Sequence, residues 1–255
     1  VIYPVIDGAQ YRVLPGGSHC VFVNPHPSKG IAIALALAAA CPDIPFLIVE
    51  AWTLDGPAHS ANRLRAAALP NVTWLRRVAD MRTVYAQARV MLVPSQWEEA
   101  FGRVVAEAQV SGIPALVSDI GGLPEAVGPG GCLVPPTAPV EVWRQALRRI
   151  WDDPVEQARL ATAALRHAAR PDMAAARQID ALEAALLERI GAAPALAAAG
   201  SSLAASSTAH GTPPGGVGAG FQIDSDGFSA VCASAAGAAS MRTAVMTTRA
   251  SIGPS

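Results

Sequence analysis

A chain of 255 residues is long enough for one large domain or two small ones. The net charge of −1 argues against a nucleic-acid-binding protein, because such proteins need a clustered basic surface. The longest apolar run, residues 31–41, is far shorter than the roughly 20 residues that a membrane-spanning helix requires. Hydrophobic residues make up 51% of the sequence and charged residues 15%, which favours a globular α/β protein without a transmembrane segment.

The cysteines and the start of the chain bear on the cellular compartment. The first residues, V-I-Y-P-V-I-D, lack the basic start and the cleavage pattern of a signal peptide. Because no initiator Met is present, we expect the chain to begin partway through a longer protein. The scattered cysteines form no C-x-x-C pair and predict small core residues of a reducing, cytoplasmic compartment; they are Cys20, Cys41, Cys132 and Cys232.

In chain order, the first predicted unit is a strand, a loop, a helix and a second strand. The strands are residues 19–23 and 46–50, and the helix is residues 31–40. Lys29 lies in the loop just before the helix, where backbone N–H groups and the helix dipole favour an anion. Its ammonium group would add a positive charge there. The alternative is that Lys29 is an ordinary solvated lysine.

Strands and helices continue to alternate up to residue 190. Asp80 is predicted to cap one helix, and Gly112 followed by Pro114 to end another. This alternation is typical of a parallel sheet covered by crossover helices. The further predicted strands are residues 71–75, 90–93, 115–117 and 132–134, and the further helices end at 69, start at 80, span 103–110, start at 124, and span 140–151, 155–169 and 173–190.

Residues 191–255 differ in composition from everything before them. They are rich in Ala, Ser, Gly, Thr and Pro, with almost no charge and no sustained period. Such a segment cannot bury enough side-chain surface to offset the conformational entropy lost on ordering. We therefore predict a disordered, low-complexity tail, and we interpret its D-S-D sequence at residues 224–226 as a chance match to a metal-binding motif.

The densest set of motifs lies between residues 93 and 127. Glu99 and Glu107 are separated by seven residues, with Phe101 and Gly102 between them. Carboxylates can accept hydrogen bonds from sugar hydroxyls, and backbone N–H groups at the start of a helix can bind phosphate. The surrounding sequences, in order, are P-S-K-G at residues 27–30, V-P-S at 93–95, S-G-I-P at 111–114 and G-G-L-P-E at 121–125.

This ordered set of motifs resembles that of glycosyltransferase family 4, a family of retaining GT-B glycosyltransferases. The resemblance covers residues 21–135 and implies the C-terminal, donor-binding half, which is a Rossmann-like parallel sheet flanked by helices. Residues 19–190 are similar to its nucleotide-sugar-binding domain. Residues 1–18 are similar to the connector from an N-terminal acceptor domain that this chain lacks. The resemblance also implies a nucleotide-diphosphate sugar as donor substrate, with no metal and no other cofactor.

The resemblance assigns roles to individual residues. Glu99 would be the catalytic residue and would hold the donor sugar's hydroxyl groups near the reacting carbon. Glu107 would accept hydrogen bonds from the ribose hydroxyls. Charge that develops on the leaving diphosphate would be stabilised by N–H donors and an ammonium group. These donor-binding groups are Lys29 and the backbone N–H groups of Phe101, Gly102 and Arg103.

The sequence departs from the family pattern near the lysine. Asn24 stands where the family usually has an arginine that pairs with the lysine at the diphosphate. We still predict Asn24 to be a donor-binding residue. Arg76 or Arg77 is expected to supply the missing positive charge, and Arg77 is included in the predicted site. The loop after residue 49, which is usually rich in glycine, reads E-A-W, so its role stays open.

Several of these residues also have simpler interpretations. Glu107 lies four residues after Arg103, so the two side chains could form only a surface ion pair on the helix. Trp52, Trp74 and Trp97 are predicted to be packing residues rather than sugar platforms, although Trp97 adjoins the site.

Three functions remain compatible with the sequence. The first is the donor half of a retaining glycosyltransferase that acts with a separate acceptor half; alone, it would bind the donor but transfer little sugar. Peripheral membrane contact is expected only through that absent half. The second is a nucleotide-sugar-binding module without transferase activity, and the third is a GT-B-like nucleotide-sugar epimerase. A dehydrogenase is disfavoured because no G-x-G-x-x-G follows the first strand.

Overall fold

The computed structural model describes residues 2–14, 16–76 and 78–190. The predicted tail, Cys232, the D-S-D sequence and Arg77 lie outside the described residues. The chain divides into two units, Val1–Ala181 and Leu182–Ser255. The sheet and every site residue discussed below belong to the first unit. Of the second unit, the structure describes only the last residues of one helix.

Within the described residues, six strands form one parallel sheet, as predicted. The strand order is β3-β2-β1-β4-β5-β6. Strands in such a sheet are buried on both faces and therefore read as continuous apolar runs, which is why they were visible in the sequence. The strands are β1 His19–Val23, β2 Phe46–Glu50, β3 Val72–Arg76, β4 Ala88–Val93, β5 Ala115–Ser118 and β6 Gly131–Val134.

The predicted helices occur in the predicted order and differ at several ends, and one short helix near the start, α1, was not predicted. The helix predicted to start at residue 80 begins at Arg82, and the backbone N–H group of Arg82 donates a hydrogen bond to the Asp80 side chain. The last helix starts two residues later than predicted because Pro171–Met173 forms a 3-10 turn. The helices are α1 Gly8–Tyr11, α2 Ile31–Ala40, α3 Pro57–Ala67, α4 Arg82–Tyr85, α5 Arg103–Gln109, α6 Leu123–Val127, α7 Val140–Asp152, α8 Pro154–Ala168 and α9 Ala175–Ile190.

The core forms one layer on each face of the sheet, because successive strand side chains point to opposite faces. Cys20 and Phe22 of β1 lie in the layer that α2, α3, α7 and α8 cover. Val21 and Val23 lie in the layer that α4, α5 and α6 cover. Cys20 and Cys41 are fully buried, as predicted for core residues. No helix among the described residues is long and apolar enough to cross a membrane.

Residues 2–14 run along the second core layer. Asp7 caps α1 by accepting the N–H group of Ala9 at 3.0 Å. Tyr3 and Tyr11 pack against the buried residues of this layer, and the N–H group of Val13 donates to Ser111 Oγ at 2.9 Å. The start of the chain is thus attached to the same layer as α5. Its predicted role as a connector from another domain stays a prediction.

The strand order places two loops side by side at one edge of the sheet. From β1 the chain moves to β2 on one side, and from β4 it moves to β5 on the other. Ligands of open α/β sheets bind in the crevice at such a switch point, outside the carboxyl ends of the strands. The loops that meet there are residues 24–30 after β1 and residues 94–102 after β4.

Candidate functional site

The two loops at the switch point are in direct contact. The N–H group of Gln96 donates to the carbonyl of Ser28 at 2.7 Å. Gly30 has a left-handed backbone with φ of 82°, and a Cβ atom there would lie 2.0 Å from the carbonyl oxygen of Pro94. Only glycine therefore allows the loops to approach so closely.

The contact brings Lys29 to Glu99. Lys29 Nζ donates to Glu99 Oε1 at 2.6 Å, and Ser95 Oγ donates to the same oxygen at 2.6 Å. The Lys29 and Glu99 side chains are only 14% and 13% exposed. Lys29 is the only lysine of the sequence. The alternative that Lys29 is a solvated surface residue is therefore wrong, and two predicted site residues from separate motifs lie together.

A third loop fixes the main chain of Glu99. The N–H group of Gly122 donates to the Glu99 carbonyl at 2.7 Å. Gly121 has φ of 57°, and a Cβ atom there would lie 2.5 Å from the same carbonyl oxygen. The two glycines of the G-G-L-P-E sequence thus pack against the main chain of the Glu99 loop and hold it in place. This contact explains why the motif has glycine at both positions.

Phe101, Gly102 and Arg103 form the turn into α5, as predicted. Phe101 is buried, and its ring centroid lies 5.6 Å from that of Tyr3. Gly102 has φ of 97°, and a Cβ atom there would lie 2.6 Å from Leu123 Cδ2. Gly102 precedes the first residue of α5 and provides no side-chain cap to the N–H groups of the first turn.

Glu107 is buried on α5 and has partners for both carboxylate oxygens. Tyr85 donates its hydroxyl to Oε2 at 2.6 Å, and Arg103 Nε donates to Oε1 at 3.3 Å. The predicted ion pair with Arg103 therefore exists, although the Tyr85 bond is shorter and buried. Burial and the adjacent Glu107 charge raise the pKa of Tyr85, so the phenol stays a donor.

Asn24 performs a structural task that the sequence did not indicate. Its backbone is left-handed, with φ of 61°. Its Oδ1 accepts the N–H groups of Ala51 and Trp52 at 3.1 and 3.0 Å, so it shapes the loop after β2. Of the two arginines proposed to replace the family's arginine, Arg76 is exposed and lies 3.7 Å from Glu50 Oε2, while Arg77 lies outside the described residues.

The prediction that three tryptophans pack inside the protein holds for Trp74 alone. Trp74 packs against the core and donates its indole N–H to Glu50 Oε1 at 2.6 Å. Trp52 and Trp97 are 49% and 53% exposed. Their rings lie 5.3 and 5.5 Å from Lys29 Nζ, within the range of a cation–π contact. We call Trp52 and Trp97 the tryptophan pair.

Sequence reasoning missed Tyr85, Ser95 and the tryptophan pair as site residues. Ser95 stands four residues before Glu99, inside a recognised motif, so this spacing was available as a signal. Tyr85 lies 22 residues before Glu107, and no local pattern connects them. Among the described residues, no group of three His, Cys, Asp or Glu side chains is placed to hold a metal ion.

The family model for glycosyl transferases group 1 matches residues 32–153. Residues 32–153 are thus similar to the group 1 glycosyltransferases. The D-inositol 3-phosphate glycosyltransferase of Corynebacterium diphtheriae is 41% identical over 101 residues, which cover 39% of this chain and 23% of the relative. The enzyme of that name from Streptomyces avermitilis is 43% identical over 86 residues, covering 33% of this chain and 18% of the relative.

The chain also has the fold of solved GT-B glycosyltransferase structures. The structure of Anabaena HepE in complex with UDP-glucose aligns with a TM-score of 0.61 and 25% identity, over 73% of this chain and 57% of that chain. The matches thus span less than a quarter of the two curated relatives and somewhat more than half of the Anabaena chain.

Proposed function

We propose that residues 19–190 bind a nucleotide-diphosphate sugar and serve as the donor half of a retaining glycosyltransferase of family 4. The observation that carries this proposal is the Lys29–Glu99–Ser95 cluster at the switch point of the sheet. It combines a cation suited to a diphosphate with a carboxylate suited to sugar hydroxyls. Residues 1–18 would connect to an acceptor half, supplied on a longer chain or by another chain.

The ion pair itself suggests how a donor would bind. Lys29 and Glu99 are both mostly shielded from water, so each charge depends on the other in the free protein. A diphosphate would compete for the ammonium group and release Glu99 Oε1 to accept hydrogen bonds from hydroxyl groups. Lys29 would then face the diphosphate oxygen on which negative charge develops as its bond to the sugar breaks. Glu99 would be the catalytic residue that orients the reacting sugar.

Glu107 is proposed to accept the ribose hydroxyls. A carboxylate offers about four lone-pair positions, so bonds to Tyr85 and Arg103 leave capacity for a ligand. The N–H groups of Phe101, Gly102 and Arg103 are proposed to bind the diphosphate. No metal ion is invoked, because an ammonium group and N–H donors can neutralise the leaving group.

The comparisons support the donor class. Anabaena HepE, which shares the fold and 25% sequence identity, was crystallised with UDP-glucose. The matched curated relatives are named D-inositol 3-phosphate glycosyltransferases. We therefore favour glycosyl transfer over nucleotide-sugar epimerisation. A binding module without transferase activity is the second candidate, because the chain spans only part of these relatives.

Thermal unfolding of the full chain with UDP, GDP, ADP and their sugar conjugates tests donor binding. A ligand at about a hundred times its dissociation constant should stabilise the protein by roughly 2.7 kcal/mol. Glu107→Ala should remove the shift. Glu98→Ala, a change of an exposed neighbour of Glu99, should retain it. If no nucleotide shifts the midpoint, the donor-binding proposal fails.

The unique lysine provides an independent measurement. An amine-reactive acetylating reagent can modify only Lys29 and the amino terminus of this sequence. A bound diphosphate should slow acetylation of Lys29, measured by mass spectrometry of its peptide, and leave acetylation of the amino terminus unchanged.

A separate measurement distinguishes the transferase from the binding module. A transferase half should slowly release free sugar from the bound conjugate and should transfer the sugar fully only after an acceptor half is added, whereas a binding module should do neither.

A further inference from the structure

Two large aromatic side chains stand exposed at the edge of the sheet that holds the candidate site. Trp52 follows β2 and Trp97 follows β4, so they come from loops on either side of the β1 loop in the strand order. Both rings approach the same atom, Lys29 Nζ. About half of each residue is exposed to water. Exposure of such apolar surface is unfavourable, and clustering of exposed aromatics beside polar groups often marks a ligand site.

The main chain beneath both rings is fixed. The N–H group of Trp52 donates to Asn24 Oδ1 at 3.0 Å. Glu50, two residues earlier, accepts the indole N–H of Trp74 and lies 3.0 Å from His59 Nε2. For Trp97, the preceding residue Gln96 donates its N–H group to the β1 loop. Hydrogen bonds thus hold the main chain at or next to both indoles, and such preorganisation limits the entropy that a ligand would have to remove on binding.

We propose that the tryptophan pair is a platform for the hexopyranosyl ring of the donor, an inference that rests on the proposed function. The C–H groups of a pyranose ring carry small positive charges and can pack on the negative face of an indole. The hydroxyl groups of the same ring need polar acceptors, and Glu99 supplies one beside Lys29. An aromatic face and a carboxylate within one cluster therefore match the two surfaces of a sugar.

The position of the pair favours the sugar over the nucleobase. Trp97 precedes Glu99 by two residues, and both rings contact the cation that binds Glu99. Glu107, the proposed ribose acceptor, is instead buried and hydrogen-bonded to Tyr85. The tryptophan pair therefore lies beside Glu99, the carboxylate proposed to bind the sugar, and not beside Glu107. A nucleobase could also stack on an indole, so the test separates the two.

Binding measurements on the full chain separate sugar from base. The probes are UDP with UDP-glucose, or GDP with GDP-mannose or ADP with ADP-glucose if unfolding selects that base. We expect Trp52→Ala and Trp97→Ala each to weaken binding of the sugar conjugate about tenfold and binding of the free diphosphate less than about twofold. Trp52→Phe and Trp97→Phe should recover most of the affinity, because an aromatic face is restored.

The contrary results are distinct. Equal loss of affinity for both probes would assign the pair to the base or the diphosphate and overturn the proposal. Unchanged affinities with a lower unfolding midpoint would make the pair a structural cover for Lys29, and would overturn it too. If the unaltered protein binds neither probe, the proposed function fails first, and this is visible before any variant is compared.

Quenching of tryptophan fluorescence gives a second measure of contact between the donor sugar and the tryptophan pair. Of the five tryptophans, Trp143 is fully buried and Trp74 and Trp151 are partly buried, so acrylamide should quench mainly the exposed pair. UDP-glucose should protect against quenching more than UDP does. The double variant Trp52→Phe and Trp97→Phe should lose this difference, whereas Trp151→Phe should keep it. Equal protection by the two probes contradicts the sugar platform.

Discussion

Lys29, the only lysine of the chain, donates a 2.6 Å hydrogen bond to Glu99, 70 residues later. The two residues come from loops that follow β1 and β4, which are neighbours in the sheet although β2 and β3 lie between them in sequence. The pair thus exists because of the strand order. In the proposed reaction the bond between the sugar and the diphosphate breaks. Glu99 would act on the sugar side of that bond, and Lys29 on the diphosphate side.

Removal of the ammonium group should weaken diphosphate binding. Lys29→Met keeps the apolar length of the side chain but leaves no cation at the switch point. We expect the affinity for the nucleoside diphosphate to fall about tenfold or more, since hydrogen bonds to charged groups contribute about 1.5–3 kcal/mol. Titration calorimetry measures this. Lys29→Arg should retain at least part of the affinity, and equal binding by Lys29→Met would contradict the assigned role.

Glu99 should have opposite effects on the two kinds of ligand. In the free protein its carboxylate competes with any phosphate for Lys29. Glu99→Gln keeps the shape of the side chain and removes the negative charge, so the free diphosphate should bind more tightly than to the unaltered protein. The preference for the sugar conjugate over the diphosphate should fall. Glu98→Gln is the control and should change neither value; weaker binding of the diphosphate to Glu99→Gln would refute the competition.

Tyr85 should support Glu107 rather than contact the donor directly. Tyr85→Phe deletes a buried donor and leaves Glu107 Oε2 without it, which should lower the free energy of unfolding by about 1–3 kcal/mol. Tyr11→Phe is the control, because Tyr11 accepts only a 3.4 Å bond from Arg103. Urea unfolding compares them. The losses from Tyr85→Phe and Glu107→Gln should be less than additive in the double variant, and full additivity would mean that the two are not coupled.

Local patterns and tertiary arrangement explain different parts of this protein. The apolar runs at 46–50 and 115–117 were recognisable as strands because both of their faces are buried. The family resemblance assigned Lys29 and Glu99 to one donor site, but their direct hydrogen bond was not predictable from local pattern, since it depends on which strands are neighbours. Trp74 and Trp52 carry the same side chain, yet one packs on the sheet and the other faces water. No period or spacing distinguishes them.

His167 should make stability depend on pH. Its Nε2 lies 2.9 Å from the Glu125 carbonyl oxygen, and burial, with the charge of Arg170 adding to it, lowers the pKa of His167. The unfolded chain, with its ordinary histidine pKa near 6.5, therefore binds more protons than the folded protein in the range just below that value. The stabilisation is complete above about pH 6.5 and is lost as the pH falls through the lowered pKa of the folded state.

The measurement for His167 is the unfolding midpoint as a function of pH. The loss of stability on acidification should be smaller in His167→Gln than in the unaltered protein, while the two curves should run parallel above about pH 7.5. Parallel curves over the whole range from about pH 5 to 8 would show that another group carries the response.

The close contact of the two loops at Gly30 should be the most sensitive point of the site. Gly30→Ala adds a Cβ atom 2.0 Å from the Pro94 carbonyl oxygen and also places alanine at φ of 82°. Gly56→Ala is a control for a positive φ without steric overlap, because Gly56 has φ of 88° with ψ of 171° and its Cβ atom would have no heavy atom within 4 Å. Its loss of stability, about 1–3 kcal/mol, reports backbone strain alone.

At Gly30→Ala the steric overlap should lower the free energy of unfolding by about 1–3 kcal/mol in addition to the backbone strain, because the loops must separate to relieve the overlap. The separation would also move Lys29, the preceding residue, away from Glu99, so nucleotide binding should be lost in Gly30→Ala and kept in Gly56→Ala. Urea unfolding and titration calorimetry of the two variants provide both values. Intact nucleotide binding in Gly30→Ala would mean that the loop contact does not build the site.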